Sequence, residues 1–139
     1  MRTITEGTNV LITGITGFVG SYLAKYLLDK GANVYGLYRN HSSGQVSLRL
    51  RELSPKVERL KLIEGDLMDI SSLARALDIS NPDVIFHLAA QSFVPKSFIN
   101  PIETLTINSL GTANLLEAIR IKGYDPVTVS YTHLTLPTN

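Results

Sequence analysis

With 139 residues, 44% of them hydrophobic and 18% charged, the chain is one domain with enough apolar surface for a real core. A net charge of +1 with scattered Lys and Arg excludes the clustered basic face of a nucleic-acid binder. The absence of cysteine excludes disulfides and thiolate metal sites. No apolar run has the length of a membrane span and the polar start lacks a signal-peptide core, so a cytoplasmic, membrane-free protein is expected.

Val10-Leu11-Ile12 is short, apolar and partly β-branched, the composition of a buried parallel strand. Thr13-Gly14-Ile15-Thr16-Gly17-Phe18-Val19-Gly20 follows it. From there Val19, Leu23 and Leu27 recur at helical spacing, and Gly31 supplies a stop. The glycines therefore fall on a tight turn between strand and helix. Backbone N–H groups there can approach a diphosphate at the positive end of the helix. The spacing Gly-x-x-Gly-x-x-Gly is one residue longer than the common dinucleotide fingerprint, and it is the flanking strand and helix that give it weight.

Asn33-Val34-Tyr35-Gly36-Leu37-Tyr38 reads as a second strand, ending in the polar turn Arg39-Asn40-His41-Ser42-Ser43-Gly44. A short helix is expected over 46–53, stopped by Pro55. Leu60-Lys61-Leu62-Ile63 reads as a third strand leading into Gly65-Asp66-Leu67. Asp69 is an N-cap for a helix with Ile70, Leu73, Ala74 and Leu77 inward, broken at Asn81-Pro82-Asp83. Val84-Ile85-Phe86-His87-Leu88 is a continuous apolar fourth strand running into Ala89-Ala90-Gln91-Ser92. Asn100-Pro101-Ile102-Glu103 carries a cap, a proline and a capping glutamate in the order that starts a helix. That helix is expected to turn Leu105, Leu110, Ala113, Leu116 and Ile119 inward and to stop near Gly123. Gly111 in its interior costs about 1 kcal/mol against Ala unless something must approach closely. A fifth strand begins at Val127. Strands alternating with helices predict an α/β, Rossmann-like, doubly wound parallel sheet of order 3-2-1-4-5.

In such a sheet a ligand lies at the carboxyl ends of the strands, where strands one and four part. Gly14, Ile15, Thr16, Gly17, Phe18, Val19 and Gly20 are the candidates for the pyrophosphate, Asp66 and Leu67 for the adenosine, and Leu88, Ala89, Ala90, Gln91 and Ser92 for passage of the rest of the cofactor. The end of strand two discriminates between dinucleotides. No acid occupies 37–43, whereas Arg39, Asn40 and Ser42 are donors suited to a 2′-phosphate. NADP is expected in preference to NAD. His87 reads as a strand-end residue bonded to backbone, His41 as part of the polar turn, and no histidine pair has metal-ligand spacing, so no metal is assigned.

Thr13 to Gly20, Gly65-Asp66-Leu67, His87 to Ser92 and Asn108 to Ala118 resemble the extended short-chain dehydrogenase/reductases. Within them, Arg39 with Ser42-Ser43, and Ala90 to Val94 followed by Pro101 and Glu103-Thr104, most resemble the GDP-mannose 4,6-dehydratases. That resemblance implies a nucleotide-sugar substrate and a homo-oligomeric full-length enzyme. It further implies hydride removal at the sugar C4, loss of water across C5 and C6, and hydride return at C6. Asn40-His41 and Glu103 depart from residues often found in that family.

The hydroxyl residue with Glu and the Tyr-x-x-x-Lys that the family uses for catalysis are absent: Tyr131 is followed four places on by Thr135. The expectation is an inactive N-terminal fragment, with residues 1–128 the cofactor-binding part and 129–139 an artefactual or disordered tail. A GDP-4-keto-6-deoxymannose reductase, another nucleotide-sugar epimerase, or a non-catalytic NADP sensor module are the alternatives.

Overall fold

The computed structural model describes residues 3–39, 57–91 and 93–131. The helix expected over 46–53, His41 and the candidates Asn40, Ser42 and Ser92 lie outside them.

Five strands, β1 (Asn9–Thr13), β2 (Asn33–Tyr38), β3 (Leu60–Glu64), β4 (Val84–His87) and β5 (Val127–Ser130), form one sheet of order β3-β2-β1-β4-β5. Every pairing is parallel, and β1 is central, with Thr13 opposite Leu37 on one side and His87 on the other. This is the expected order. β5 runs through Val129 and Ser130, beyond residue 128, and the Tyr131 N–H still bonds the His87 carbonyl at 3.1 Å.

Each face of the sheet is covered. Helix α1 (Phe18–Asp29) packs Ala24, Leu27 and Leu28 on Val10, Ile12, Val34 and Val84. Helix α2 (Ile70–Ser80) and a later helix, α5 (Gly111–Lys122), pack Leu73, Ala76, Leu77, Leu115 and Ala118 on Leu11, Leu37, Ile63 and Ile85. Alternate strand residues thus feed opposite layers, as a doubly covered sheet requires. Asp69 caps α2 through its side chain, which accepts from the Ser71 N–H at 3.0 Å. Gly31, at φ +84°, ends α1.

The helical faces differ from the expectation in phase. On α1 Val19 is exposed and Gly20 buried; on α2 Ile70 is exposed while Ala76 is buried. The largest difference follows β4. A short helix, α3 (Val94–Ile99), which the pattern gave no sign of, precedes α4 (Pro101–Leu105), a π-helical turn (Thr106–Leu110) and α5. The inward residues are Thr104, Asn108, Leu115 and Ala118, whereas Leu105, Leu110, Ala113 and Leu116 face outward and Ile119 packs at the edge of the core. The segment is apolar on more than one side, so spacing leaves the inner face undecided. The wider π turn then rotates α5 relative to the course of a regular helix. Asn100 caps α4 as expected: its Oδ1 accepts from the Glu103 N–H at 3.2 Å, and its amide donates to the Glu103 carboxylate at 2.9 Å.

Candidate functional site

A cleft of about 270 Å³ opens at the carboxyl ends of the strands, between β1, β2, β3 and the loop after β4. Gly14, Thr16 and Gly17 form one wall, Leu88, Ala89, Ala90 and Gln91 the facing wall, and Arg39, Asp66 and Leu67 the far end. These candidates therefore come together. Ile15, Phe18, Val19 and Gly20 do not line the cleft. Ile15 is fully buried beneath the turn, filling the space that a side chain on Gly36 would occupy. Phe18 and Val19 are exposed on the first turn of α1. Gly20 is buried against the turn itself.

The turn is built by omission. Gly14 adopts φ +75°, and a Cβ on it would lie 2.7 Å from the Ala89 N and 2.8 Å from the Leu88 carbonyl carbon. A Cβ on Gly20 would lie 2.3 Å from the Gly14 O. Only bare backbone lets the turn pass the loop after β4 at this distance. The cap of α1 is Gly17, with no side-chain cap bond and no acid in the first turn. The positive end of the helix thus meets the cleft without a carboxylate of its own to neutralise it. These features fit a diphosphate.

The facing wall is held by side chains. Asn108, buried on the π turn, accepts the Gln91 N–H through Oδ1 at 2.7 Å and donates from Nδ2 to the Gln91 O at 3.2 Å. Thr13 Oγ1 accepts from the Ala89 N–H at 3.2 Å. His87, at the end of β4, is not bonded to backbone through its ring as expected. Its Nδ1 lies 2.7 Å from Thr13 Oγ1 and its Nε2 2.9 Å from Thr112 Oγ1. Burial lowers the His87 pKa from the ordinary histidine value, which favours the neutral ring. Sequence reasoning missed Asn108 and Thr112. The one available signal was a polar residue at each of two positions on the side of the helix that carries Leu115.

At the far end Leu67 is buried against Gly111, whose missing side chain admits it: a Cβ there would stand 3.0 Å from the Leu67 Cβ. The close approach explains the glycine in the helix. Asp66 turns one carboxylate oxygen onto the Met68 N–H at 2.9 Å. Arg39 is exposed and lines a depression with Glu64, Asp66, Asp69, Ser72 and Arg75.

The family model described as GDP-mannose 4,6 dehydratase matches residues 11–133. The chain belongs to this family. It is 43% identical over 125 residues to the GDP-mannose 4,6-dehydratase of Vibrio cholerae, an alignment covering 87% of this chain and 33% of that protein. Among solved structures it resembles the UDP-glucose 4-epimerase of Bifidobacterium longum in complex with NAD+ and UDP, with a TM-score of 0.77, 27% identity, and coverage of 92% of this chain and 38% of the other. It also resembles that of Thermus thermophilus in complex with NAD, with a TM-score of 0.68, 34% identity, and coverage of 84% and 35%. The chain spans about a third of the length of the curated relatives it matches.

These structures overturn the expectation of NADP, since both epimerases hold NAD. The surroundings of Arg39 give the physical reason that a lone arginine misleads. Among the described residues, three carboxylates, Glu64, Asp66 and Asp69, and the guanidinium of Arg75 share its depression, so Arg39 does not stand there as an isolated cation. No helix among the described residues is long and apolar enough to cross a membrane.

Proposed function

We propose that this chain is the NAD-holding part of a nucleotide-sugar 4,6-dehydratase whose substrate is GDP-mannose. The observation that carries the reading is the side-chain-free approach of Gly14 to Ala89 beside the uncapped start of α1. Gly14, Thr16 and Gly17 would hold the pyrophosphate, Asp66 and Leu67 the adenosine, and Leu88 to Gln91 the nicotinamide side. When bound, the dinucleotide supplies an acceptor and donor of hydride at the sugar. This chain's own residues bind and orient. The turn offers N–H groups to the phosphates, buried Leu67 closes the adenosine end, and Asn108 fixes the backbone at Gln91. Family likeness at 43% identity supports the substrate, and the NAD bound by the epimerases supports the form of the cofactor.

Titration of the 139-residue chain with NADH, followed by nicotinamide fluorescence, tests the binding half. Saturable binding that Gly14→Ala abolishes is the expected result, and its absence in the unaltered chain overturns the reading. A parallel titration with NADPH giving tighter binding would overturn the NAD form alone. For the substrate, residues 1–128 are grafted in place of the aligned segment of the Vibrio cholerae enzyme. The graft is expected to consume GDP-mannose. A folded, NADH-binding graft that leaves it unchanged would sink the dehydratase assignment.

A further inference from the structure

Proton positions in the group around His87 follow from counting donors and acceptors. A threonine hydroxyl has one proton to give and two lone pairs with which to accept. Thr112 gives its proton to the Asn108 carbonyl, at 2.8 Å. Toward His87 Nε2, at 2.9 Å, it is then left as an acceptor, so Nε2 carries the ring proton. Nδ1 is bare and accepts from the Thr13 hydroxyl at 2.7 Å, while Thr13 Oγ1 accepts the Ala89 N–H at 3.2 Å. Each group is satisfied. In the opposite tautomer Thr112 would have to withdraw its proton from Asn108. Nδ1 would then donate to Thr13, and the proton of that fully buried hydroxyl would have no acceptor in this group.

The path starts and ends on the loop after β4. One end is the Ala89 N–H; the other is Asn108, whose side chain clasps both backbone groups of Gln91. We infer that His87, as the neutral Nε2–H tautomer, is a positioning residue that ties the loop after β4 to the end of β1 and to the π turn, fixing where the loop lies against the glycine turn. The wall it fixes is the one whose Ala89 N stands against Gly14. The consequence for dinucleotide affinity rests on the function proposed above; the tautomer and the tethering of the loop do not.

The test uses the 139-residue chain labelled with 15N, with the His87 resonances assigned by their loss in His87→Gln. At neutral pH a long-range 1H–15N spectrum is expected to show a protonated Nε2 and a bare Nδ1. Thr112→Val keeps the shape and deletes the hydroxyl. Amide exchange at Ala89 and Gln91 should then quicken about tenfold, and NADH should bind about fivefold more weakly. Thr112→Ser restores the hydroxyl and should return both to the unaltered values. A protonated Nδ1 in the unaltered chain, or exchange unchanged in Thr112→Val, overturns the inference. Should Thr112→Val fail to fold, the tautomer of the unaltered chain still decides it. Failure of the unaltered chain to bind NADH counts against the proposed function alone.

Discussion

The glycine turn and the loop after β4 meet at Gly14 and Ala89 and both line the cleft, and they are held in opposite ways. At the turn, Gly14 and Gly20 let backbone touch backbone where any Cβ would collide. At the loop, Ala89 and Gln91 are held by polar side chains from β1 and the π turn, more than a dozen residues away in sequence. One wall depends on absent atoms and tolerates no addition; the other depends on directed hydrogen bonds and tolerates no deletion. Errors at the first should therefore disturb the fold, and errors at the second should chiefly loosen the loop.

The largest effect should come from Gly20→Ala. Its Cβ would meet the Gly14 carbonyl oxygen at 2.3 Å, a backbone atom that cannot rotate away. A loss of about 3 kcal/mol is expected in urea unfolding. Gly123→Ala is the control: φ is +70° but no atom lies within 4 Å of the added Cβ, so its cost should be about 1 kcal/mol. Gly20 has no positive φ, so a loss there no larger than at Gly123 would mean that the close contact does not govern the turn.

Next comes Asn108→Ala, which leaves the Gln91 N–H and carbonyl without their clasp. A cost of about 1–3 kcal/mol is expected. Faster amide exchange should be confined to the loop after β4, with α1 unaffected. Exchange that quickens equally in α1 would merge the two walls into one unit.

The pH response of His87 is smaller. Its folded pKa lies below the ordinary value of 6.5 because burial disfavours the charged ring. The unfolded chain therefore binds the proton more readily. The stability this contributes is complete above about pH 6.5 and is lost as pH falls toward the folded value. Urea midpoints at about pH 7.5 and about pH 5.5 should fall further in the unaltered chain than in His87→Gln. Matching slopes would remove His87 from the acid response.

The smallest effect should be that of Arg39→Ala on NADH binding, expected to stay within about threefold. Arg39 is exposed, so solvent screens whatever charge it offers the cofactor. A tenfold loss would move the far end of the cleft into the set of strong determinants.

What the sequence by itself determined is mostly local in origin. The glycines between a strand and a helix, the Asp69 and Asn100 caps and the uninterrupted apolar strands each act within a few residues. Together with right-handed crossovers they dictate the order β3-β2-β1-β4-β5. Tertiary structure decided which helix face turns inward, because α5 and the turns before it carry apolar residues on more than one side, and only packing on Leu11, Leu67 and Ile85 selects Leu115 and Ala118. It also decided the role of His87, whose two partners stand 74 and 25 residues away. The setting of Arg39 also belongs to the tertiary structure, which places it in one depression with Glu64, Asp66, Asp69 and Arg75, none of them its sequence neighbours. A hydrogen bond or a charge is read from its surroundings, and those surroundings exist only once distant segments have met.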